Sequence, residues 1–439
     1  MIPILSLAAM RDADRDAVNR RGQDALVHAA GTAVALTARH MLGVCYGARI
    51  AVVAGPGLNG ADGRIAAAWL RDRGAHVDLI VWNEAPALLA GYDLIVDAAF
   101  GTGCSRPYVA PRVMAGTKVL AVDLPSGVDT DTGALLGEPM IATATLALGA
   151  LKPAHLNGPA ADFAGELHFE SLGIVQSFDD GLMNDDDLST FVRINEDDHK
   201  WNHAMQALVG SSLMPGAAEL VLRGALAGGA SMIRLVSRGD VASQVQLPPE
   251  VVHATDAKVD TRCKAVVAGP GLGPDASDWL RDPLSDLTCP VVLDADGLDR
   301  NMIDAVAPHD GSWVLTPHAG EFVRLSGHDL SLNRFHDVRE LARATGCVVL
   351  LKGPTTIIAS PEGRLRVVNS GTASLATAGT GDVLAGFIAA TIARGHDPLE
   401  GAALGAFLHG RAGAALAPYA HASEVATTLG KLIGGLAAG

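Results

Sequence analysis

The strongest constraint on this chain is a unit that recurs along it: a short apolar run, a Gly-rich or Asp-bearing turn, then a helix-period segment. Ile50 to Ala54 leads into GPGLNGADG and on to a helical stretch through Trp69 and Leu70. Further runs stand at Val77–Val81, Leu94–Val96 and Val119–Val122, with Gly, Asp or Pro soon after. The second half restarts the pattern: Val266–Ala268 precedes GPGLG, Val291–Leu293 precedes DADGLD, Val314–Leu315 precedes TPHAGE, and Val348–Leu351 precedes KGPTT. Thr356–Ala359 and Leu365–Val368, either side of SPEG, read as a hairpin. Apolar runs of this length, alternating with helical segments, predict a mostly parallel sheet covered by helices on both faces. The octapeptide AVVAGPGL occurs at 51–58 and again at 265–272, but its flanks diverge at once, so it marks two independent strand–turn–helix units. Residues 8–42 carry apolar side chains at helical spacing and predict two amphipathic helices.

A chain of 439 residues needs two or three cores. Between Ser177 and Lys200 eight Asp and Glu residues face only Arg193 and Lys200, a stretch that joins a core poorly. The expected division is therefore 1–178, an acidic linker at 179–200, and 201–439. Aromatics are only 4% and the formal net charge is -15, which argues against nucleic acid and anionic membranes as partners. A phosphate-bearing ligand would have to be held by backbone N–H groups and helix N-termini. Five scattered cysteines without a CxxC pair predict no disulfide framework and no zinc site. The N-terminal segment lacks a basic region, and no apolar stretch reaches the roughly 18 residues that span a bilayer. A cytoplasmic protein follows as the expectation, with a homo-oligomer as its assembly.

The sharpest chemical feature is GTGDVLAGFIAATIARG from Gly379. A glycine turn that opens a helix aims free N–H groups and the positive helix end at one point. Asp382, in the first turn, would stand beside a transferred phosphate and could orient and deprotonate a hydroxyl. Taken alone, GTGD reads first as a glycine turn with a capping Asp. Lys352 ends another strand before GPTT, His318 and Glu321 follow a third, and GPGLG at Gly269 follows a fourth. Four such loops at strand ends of one domain describe a phosphotransfer crevice.

In the first half, Asn59 and Asp62 follow one strand, Asp97 ends another, and Asp123 ends a third with Ser126 close behind. Oxygen groups without a cationic neighbour in sequence suit an alkali or alkaline-earth cation, although any one of these Asp residues could simply cap a helix. Gly55, Gly57 and Gly60 match G-x-G-x-x-G, but the acidic residue about twenty positions on, Asp78, precedes a strand run rather than ending one, so the context of a dinucleotide site is not met.

These motifs resemble the bifunctional NAD(P)H-hydrate repair enzymes, an NAD(P)H-hydrate epimerase fused to an ADP- or ATP-dependent dehydratase. The resemblance runs through MRDADR, GPGLNGADG, VDAAFGTG, VDLPSGVDTDTG and GALKPAH, then GPGLG, LDADGLD, LTPHAGEF, LKGPTT, NSGTASLATAGTGDVLAG and GAFLHGRAG. It implies two three-layer αβα domains, a Rossmann-like one followed by a ribokinase-like one. It also implies NAD(P)H hydrates as substrates and ADP (or ATP), Mg²⁺ and K⁺ as cofactors. In the second half it makes Asp382 the group that activates the C6 hydroxyl of the hydrated nicotinamide for phosphorylation. Its hydrate contacts fall on Gly273 and on His318, Ala319, Gly320, Glu321, Phe322, Val323 and Arg324. Its nucleotide contacts fall on Lys352, Gly353, Pro354, Thr355 and Thr356, and on Thr372, Ala373, Ser374, Leu375, Ala376, Thr377, Ala378, Gly379, Thr380 and Gly381. In the first half it places K⁺ on Asn59, Asp97 and Ser126. Hydrate contacts there are Asn59, Asp62, Gly101, Thr102, Gly103, Cys104, Ser105, Arg106 and Pro107. Asp123 becomes the acid/base for exchanging the C6 epimers, with Lys152 as helper.

Three departures stand out. The family pattern Asn-Asn-Gly-Gly-Asp is here Leu58-Asn59-Gly60-Ala61-Asp62, which removes an amide and places Ala where a positive φ is expected. HKWNHAMQALVGSS lacks a glycine after His-Lys, and Ala378 replaces the Gly before GTG. Two other readings stay open: a dehydratase with a degenerate front half, and a ribokinase-like kinase for a small hydroxylated metabolite.

Overall fold

Runs rich in Val, Ile and Leu become the strands of two separate sheets in a computed structural model that describes residues 1–190, 199–285, 287–307 and 309–438. The chain divides into two units, one built mainly from Ile2–Asp180 and the other mainly from Gly181 onward.

In the first unit six parallel strands lie in the order Glu166–Glu170, Ala144–Leu148, Lys118–Val122, Leu94–Ala98, Arg49–Ala54, His76–Val81. Alternate residues feed opposite faces, as the two-residue strand period requires. Ile50, Val52, Leu94, Val96, Leu120 and Val122 pack under helices Gln23–Leu42 and Leu58–Arg71. Ala51, Val53, Ile95, Val119 and Ala121 fill the other face with Trp82, Phe100 and Tyr108. Helix Leu7–Arg21 is capped by Ser6, whose Oγ accepts the Ala9 N–H at 3.3 Å. The chain leaves Arg49–Ala54 for His76–Val81 on one side and returns to Leu94–Ala98 on the other. That reversal opens a crevice at the carboxyl ends, where open α/β sheets place ligands.

The second unit repeats the principle. Its sheet runs Gly181–Leu182, Leu365–Val368, Thr356–Ala359, Val348–Leu351, Trp313–Leu315, Val291–Leu293, Ala265–Ala268, Ala204–Ser211, Met232–Arg238, Val251–His253. All neighbours are parallel except Thr356–Ala359, which is antiparallel to both of its partners, as the hairpin reading requires. The reversal falls between Ala204–Ser211 and Ala265–Ala268. Helices Pro215–Ala227 and Thr380–Ala393 cross there at backbone contact. A Cβ on Gly224 would strike the Val383 carbonyl, and one on Gly386 would strike the Val221 carbonyl.

The acidic segment 179–200 is not a linker throughout. Gly181 and Leu182 pair with Arg366 and Val367, and Met183 is buried, because an apolar Gly-Leu-Met triplet interrupts the carboxylates. Residues 191–198 of the expected linker lie outside the described residues.

Candidate active sites

In the second unit three strand ends and one helix start converge. Lys352 follows Val348–Leu351, and its amide donates to the Pro317 carbonyl at 2.8 Å, tying its loop to the TPHAGE loop. Its ammonium donates to Asp294 Oδ1 at 2.7 Å and lies 3.7 Å from Glu321 Oε2. Burial would lower the Lys352 pKa, but Asp294 and Glu321 outweigh it, so the pKa is raised and the cation is secure. Gly379, at φ 88, turns the chain into helix Thr380–Ala393. The Cβ position of Gly381 lies 3.5 Å from Lys352 Nζ and 3.7 Å from Asp294 Oδ2, so the helix N-terminus rests on that pair. Asp382 occupies the first turn. Burial first, then the Asp294 charge, push its pKa up to about 7 against the pull of Lys352.

His318 caps helix Ala319–Ser326, its Nδ1 accepting the Gly320 and Glu321 amides, while Glu321 Oε2 accepts the His318 amide at 2.8 Å. One carboxylate thus links the His318 turn to Lys352. Across the crevice the Gly273 amide donates to Asp296 Oδ2 at 2.9 Å. The 372–380 loop is braced by its own side chains, with Thr380 Oγ1 on the Leu375 and Thr377 carbonyls and Ser374 Oγ on the Gly413 carbonyl.

The first unit holds a cavity of about 710 Å³ lined by Asn59, Asp62, Gly101 through Tyr108, Asp123 and Lys152 among others. Lys152, 1% exposed, pairs with Asp123 Oδ1 and donates to the Leu148 carbonyl at 2.8 Å. Asn59 Oδ1 and Asp123 Oδ2 both stand 3.2 Å from the Cβ position of Gly101, which brings loops from three strands together. Asp62 is buried with Oδ1 unpartnered, and burial, then the Asp123 charge, push its pKa up to about 8. Asp97 and Ser126 are not among the cavity's lining residues. They are fully buried and bonded to each other: Ser126 Oγ donates to Asp97 Oδ1 at 2.6 Å, and the Ser126 amide donates to Oδ2 at 2.9 Å.

Comparison with known proteins accords with this geometry. A family model described as NAD(P)H-hydrate dehydratase matches residues 205–434, and one described as YjeF-related protein N-terminus matches 23–91 and 82–154. The bifunctional NAD(P)H-hydrate repair enzyme of Mycobacterium leprae is 34% identical over 98% of this chain and 97% of its own length. The chain belongs to that family. Among solved structures, a ribokinase-like superfamily protein of Enterococcus faecalis matches with TM-score 0.50 at 20% identity, over 60% of this chain and 98% of that one, which shows the fold. The ADP/ATP-dependent NAD(P)H-hydrate dehydratase of Bacillus subtilis, co-crystallised with ATP and Mg²⁺, is similar at 27% identity and TM-score 0.49, over 56% of this chain and 94% of that one.

Within the family frame, some expected residues shift. Phe322 is fully buried in the core, so its side chain is not a hydrate contact, whereas His318 is 56% exposed at the crevice. Ala61 lies in the first turn of helix Leu58–Arg71, its amide donating to the Gly57 carbonyl at 3.1 Å, and needs no positive φ. Ala378 is likewise absent from the left-handed residues, because Gly379 makes the turn. Sequence reasoning missed Asp294 and Asp296, although DADGLD follows a strand just as Asp123 does. It also missed Asp14, a carboxyl on the Met10–Asp14–Val18 face of the first helix that lines the cavity. The aromatic trio went unseen too: Phe100 stands 5.1 Å edge-on from both Trp82 and Tyr108.

Proposed function

We propose that the second unit dehydrates the S form of NAD(P)H hydrate at the expense of a nucleotide, with Asp382 as the base. Asp382 takes the proton of the C6 hydroxyl, the freed oxygen attacks the terminal phosphorus of the nucleotide, and the bond from that phosphorus to the bridging oxygen breaks, releasing AMP from ADP (or ADP from ATP). The nicotinamide ring nitrogen then expels phosphate from C6, and loss of a C5 proton restores NAD(P)H. Phosphate leaves far more readily than hydroxide, which is the reason to phosphorylate first. The carrying observation is Asp382 in a helix N-terminus seated on the Lys352–Asp294 pair; backbone N–H groups and one cation there would receive phosphate oxygens. We take ADP as the preferred nucleotide, contacted by Lys352–Thr356 and Thr372–Gly381. Mg²⁺ would arrive on the nucleotide's phosphates, where it would neutralise developing charge.

We read the first unit as the epimerase. Asp123 removes the C6 hydroxyl proton as the C6–N1 bond opens to an aldehyde, the neutral Asp62 carboxyl in the same cavity gives its proton to the ring nitrogen, and reclosure on the other face of the aldehyde, with both protons returned, yields the other epimer. Arg106, exposed at the rim, is placed to meet the hydrate's phosphates. A fully buried Asp97 bonded only to a hydroxyl and two amides among the described residues fits a K⁺ ion shared with Ser126 and Asn59, which would balance its charge. The intact Asp123–Lys152 pair favours an active epimerase over a degenerate front half. The five unpaired cysteines support a reducing, cytoplasmic setting, and no described helix is long and apolar enough to cross a membrane.

The test incubates the chain with purified R and S hydrates, Mg²⁺ and each nucleotide in turn, following the reduced-nicotinamide absorbance. A stable phosphorylated product without recovered NAD(P)H would support a small-metabolite kinase instead.

A further inference from the structure

Asp123 sits at φ 66, in the left-handed region that a side chain other than glycine rarely adopts. The Leu124 amide donates across it to the Val122 carbonyl at 2.8 Å, closing a three-residue turn of the strained γ type. Such a conformation persists only where the surroundings over-determine it. The Asp123 amide donates to the Leu146 carbonyl at 2.9 Å, its carboxylate accepts from the Leu148 amide and the Lys152 ammonium, and its carbonyl is held by one imidazole. His155 Nδ1 accepts the Lys152 amide at 2.9 Å, which puts the ring proton on Nε2. Nε2 then donates to the Asp123 main-chain carbonyl at 2.6 Å.

The ring therefore grips the backbones of the two residues whose side chains meet in the cavity. Strand Lys118–Val122 delivers Asp123, its neighbour Ala144–Leu148 leads to Lys152, and His155 bridges the two loops beyond them. It is 3% exposed, both nitrogens are engaged, and it is absent from the cavity lining, so it cannot touch the hydrate. Burial, then the Lys152 charge, pull its pKa down to about 4, which keeps it neutral and the tautomer fixed.

We propose that His155 is the positioning residue of the epimerase site: it holds the Asp123 turn and the Lys152 loop in register so that both side chains point at the C6 hydroxyl. This rests on the epimerase reading given above.

The experiment measures R-to-S exchange on the full chain as wild type, His155→Ala and His155→Gln, with S-hydrate dehydration followed on the same preparations. Gln can still donate to the Asp123 carbonyl but loses the Lys152 contact. The expected result for His155→Ala is a kcat for exchange lower on the order of 30-fold with KM nearly unchanged, since misplacement of reacting groups falls on the chemical step. His155→Gln should recover part of the loss, and dehydration should be unaffected in both. Exchange by His155→Ala within twofold of wild type overturns the proposal. So does a loss carried by KM, or an equal loss in both variants that tracks their melting temperatures. If His155→Ala does not fold, the kcat and KM of His155→Gln decide on the same criteria. Wild type that dehydrates but never exchanges epimers overturns the epimerase reading itself, an outcome distinct from all of these.

Discussion

Lys352 gives its hydrogen bond to Asp294 at 2.7 Å, reaching across the intervening strand Trp313–Leu315, rather than pairing directly with Asp382. Burial of Asp382, the proposed base, and then the like charge of Asp294 raise its pKa to about 7. A base poised near neutrality combines an available carboxylate with enough basicity to take a proton. Lys352, held by Asp294 and Glu321, stays fixed at the place proposed for the nucleotide's phosphate.

Replacing Asp294 by Asn removes the like charge and frees Lys352 for Asp382. Both changes favour the carboxylate, so the Asp382 pKa falls. The acidic limb of the pH–rate profile for dehydration should move down by on the order of one pH unit. Turnover at pH 7 should fall as well, because the base weakens and Lys352 loses its anchor. An unmoved acidic limb would assign that limb to another group.

Asp382→Asn should lower dehydration on the order of a thousandfold, the scale of a lost general base, while nucleotide binding survives in calorimetry. It also has a signature in stability. The Asp382 pKa is raised on folding from 3.8 to about 7. Between those values the unfolded chain releases a proton that the folded chain keeps, so wild type loses stability as pH rises through that window. Asn carries no such cost. Without nucleotide, the variant's advantage in melting should be absent at pH 4 and grow toward pH 8, to on the order of 2 kcal/mol after allowance for partial exposure.

Much of this was legible in the chain, and for identifiable reasons. Runs of Val, Ile and Leu such as Val348–Leu351 allow no amphipathic helix and emerged as strands with nearly the expected bounds. Ala144–Leu148, with sequence ATLAL, lacks the β-branched density that signals a strand, and Met232–Arg238 carries two arginines and a serine. Glu166–Glu170 lies at a sheet edge, where polar residues are tolerated and the apolar signal fades. GTGD and Lys352 were visible as types, but Asp294 was read as a turn because its importance lies in a partner 58 residues away. The Asp123–Lys152 pair is likewise created by two strands being neighbours, which spacing alone does not state.

The helix that carries Asp382 is placed by two glycines, so its position should be sensitive to a side chain far from any ligand. Gly224→Val has no room beside the Val383 carbonyl and must push helix Thr380–Ala393 outward. Overpacking of this kind costs about 1–3 kcal/mol. Dehydration should fall by more than that loss of folded protein explains, while epimer exchange in the other unit remains. Parallel melting and activity measurements separate the two effects.

The proposed cation at Asp97 makes exchange depend on salt identity. Wild type should exchange epimers faster in KCl than in an equal concentration of choline chloride. Ser126→Ala removes the hydroxyl that bonds Asp97 at 2.6 Å and should abolish the difference. Dehydration serves as the control for general ionic effects. Equal exchange rates of wild type in both salts would remove K⁺ from the site.

Leu58 offers a change that should improve the protein. It begins helix Leu58–Arg71 at the cavity wall and is 56% exposed, a poor use of an apolar side chain. It neither packs in the core nor caps the helix, so its replacement removes no contact that the fold requires. Asn at this position supplies an amide at the hydrate's surface beside Asn59. One added hydrogen bond of about 0.5–1.5 kcal/mol corresponds to a roughly two- to tenfold tighter KM for the hydrate. The exchange kcat should stay close to wild type, because Asp123 and Lys152 keep their places. A KM that does not move would show that position 58 stands clear of the bound hydrate. In that case the sequence departure there costs the epimerase nothing.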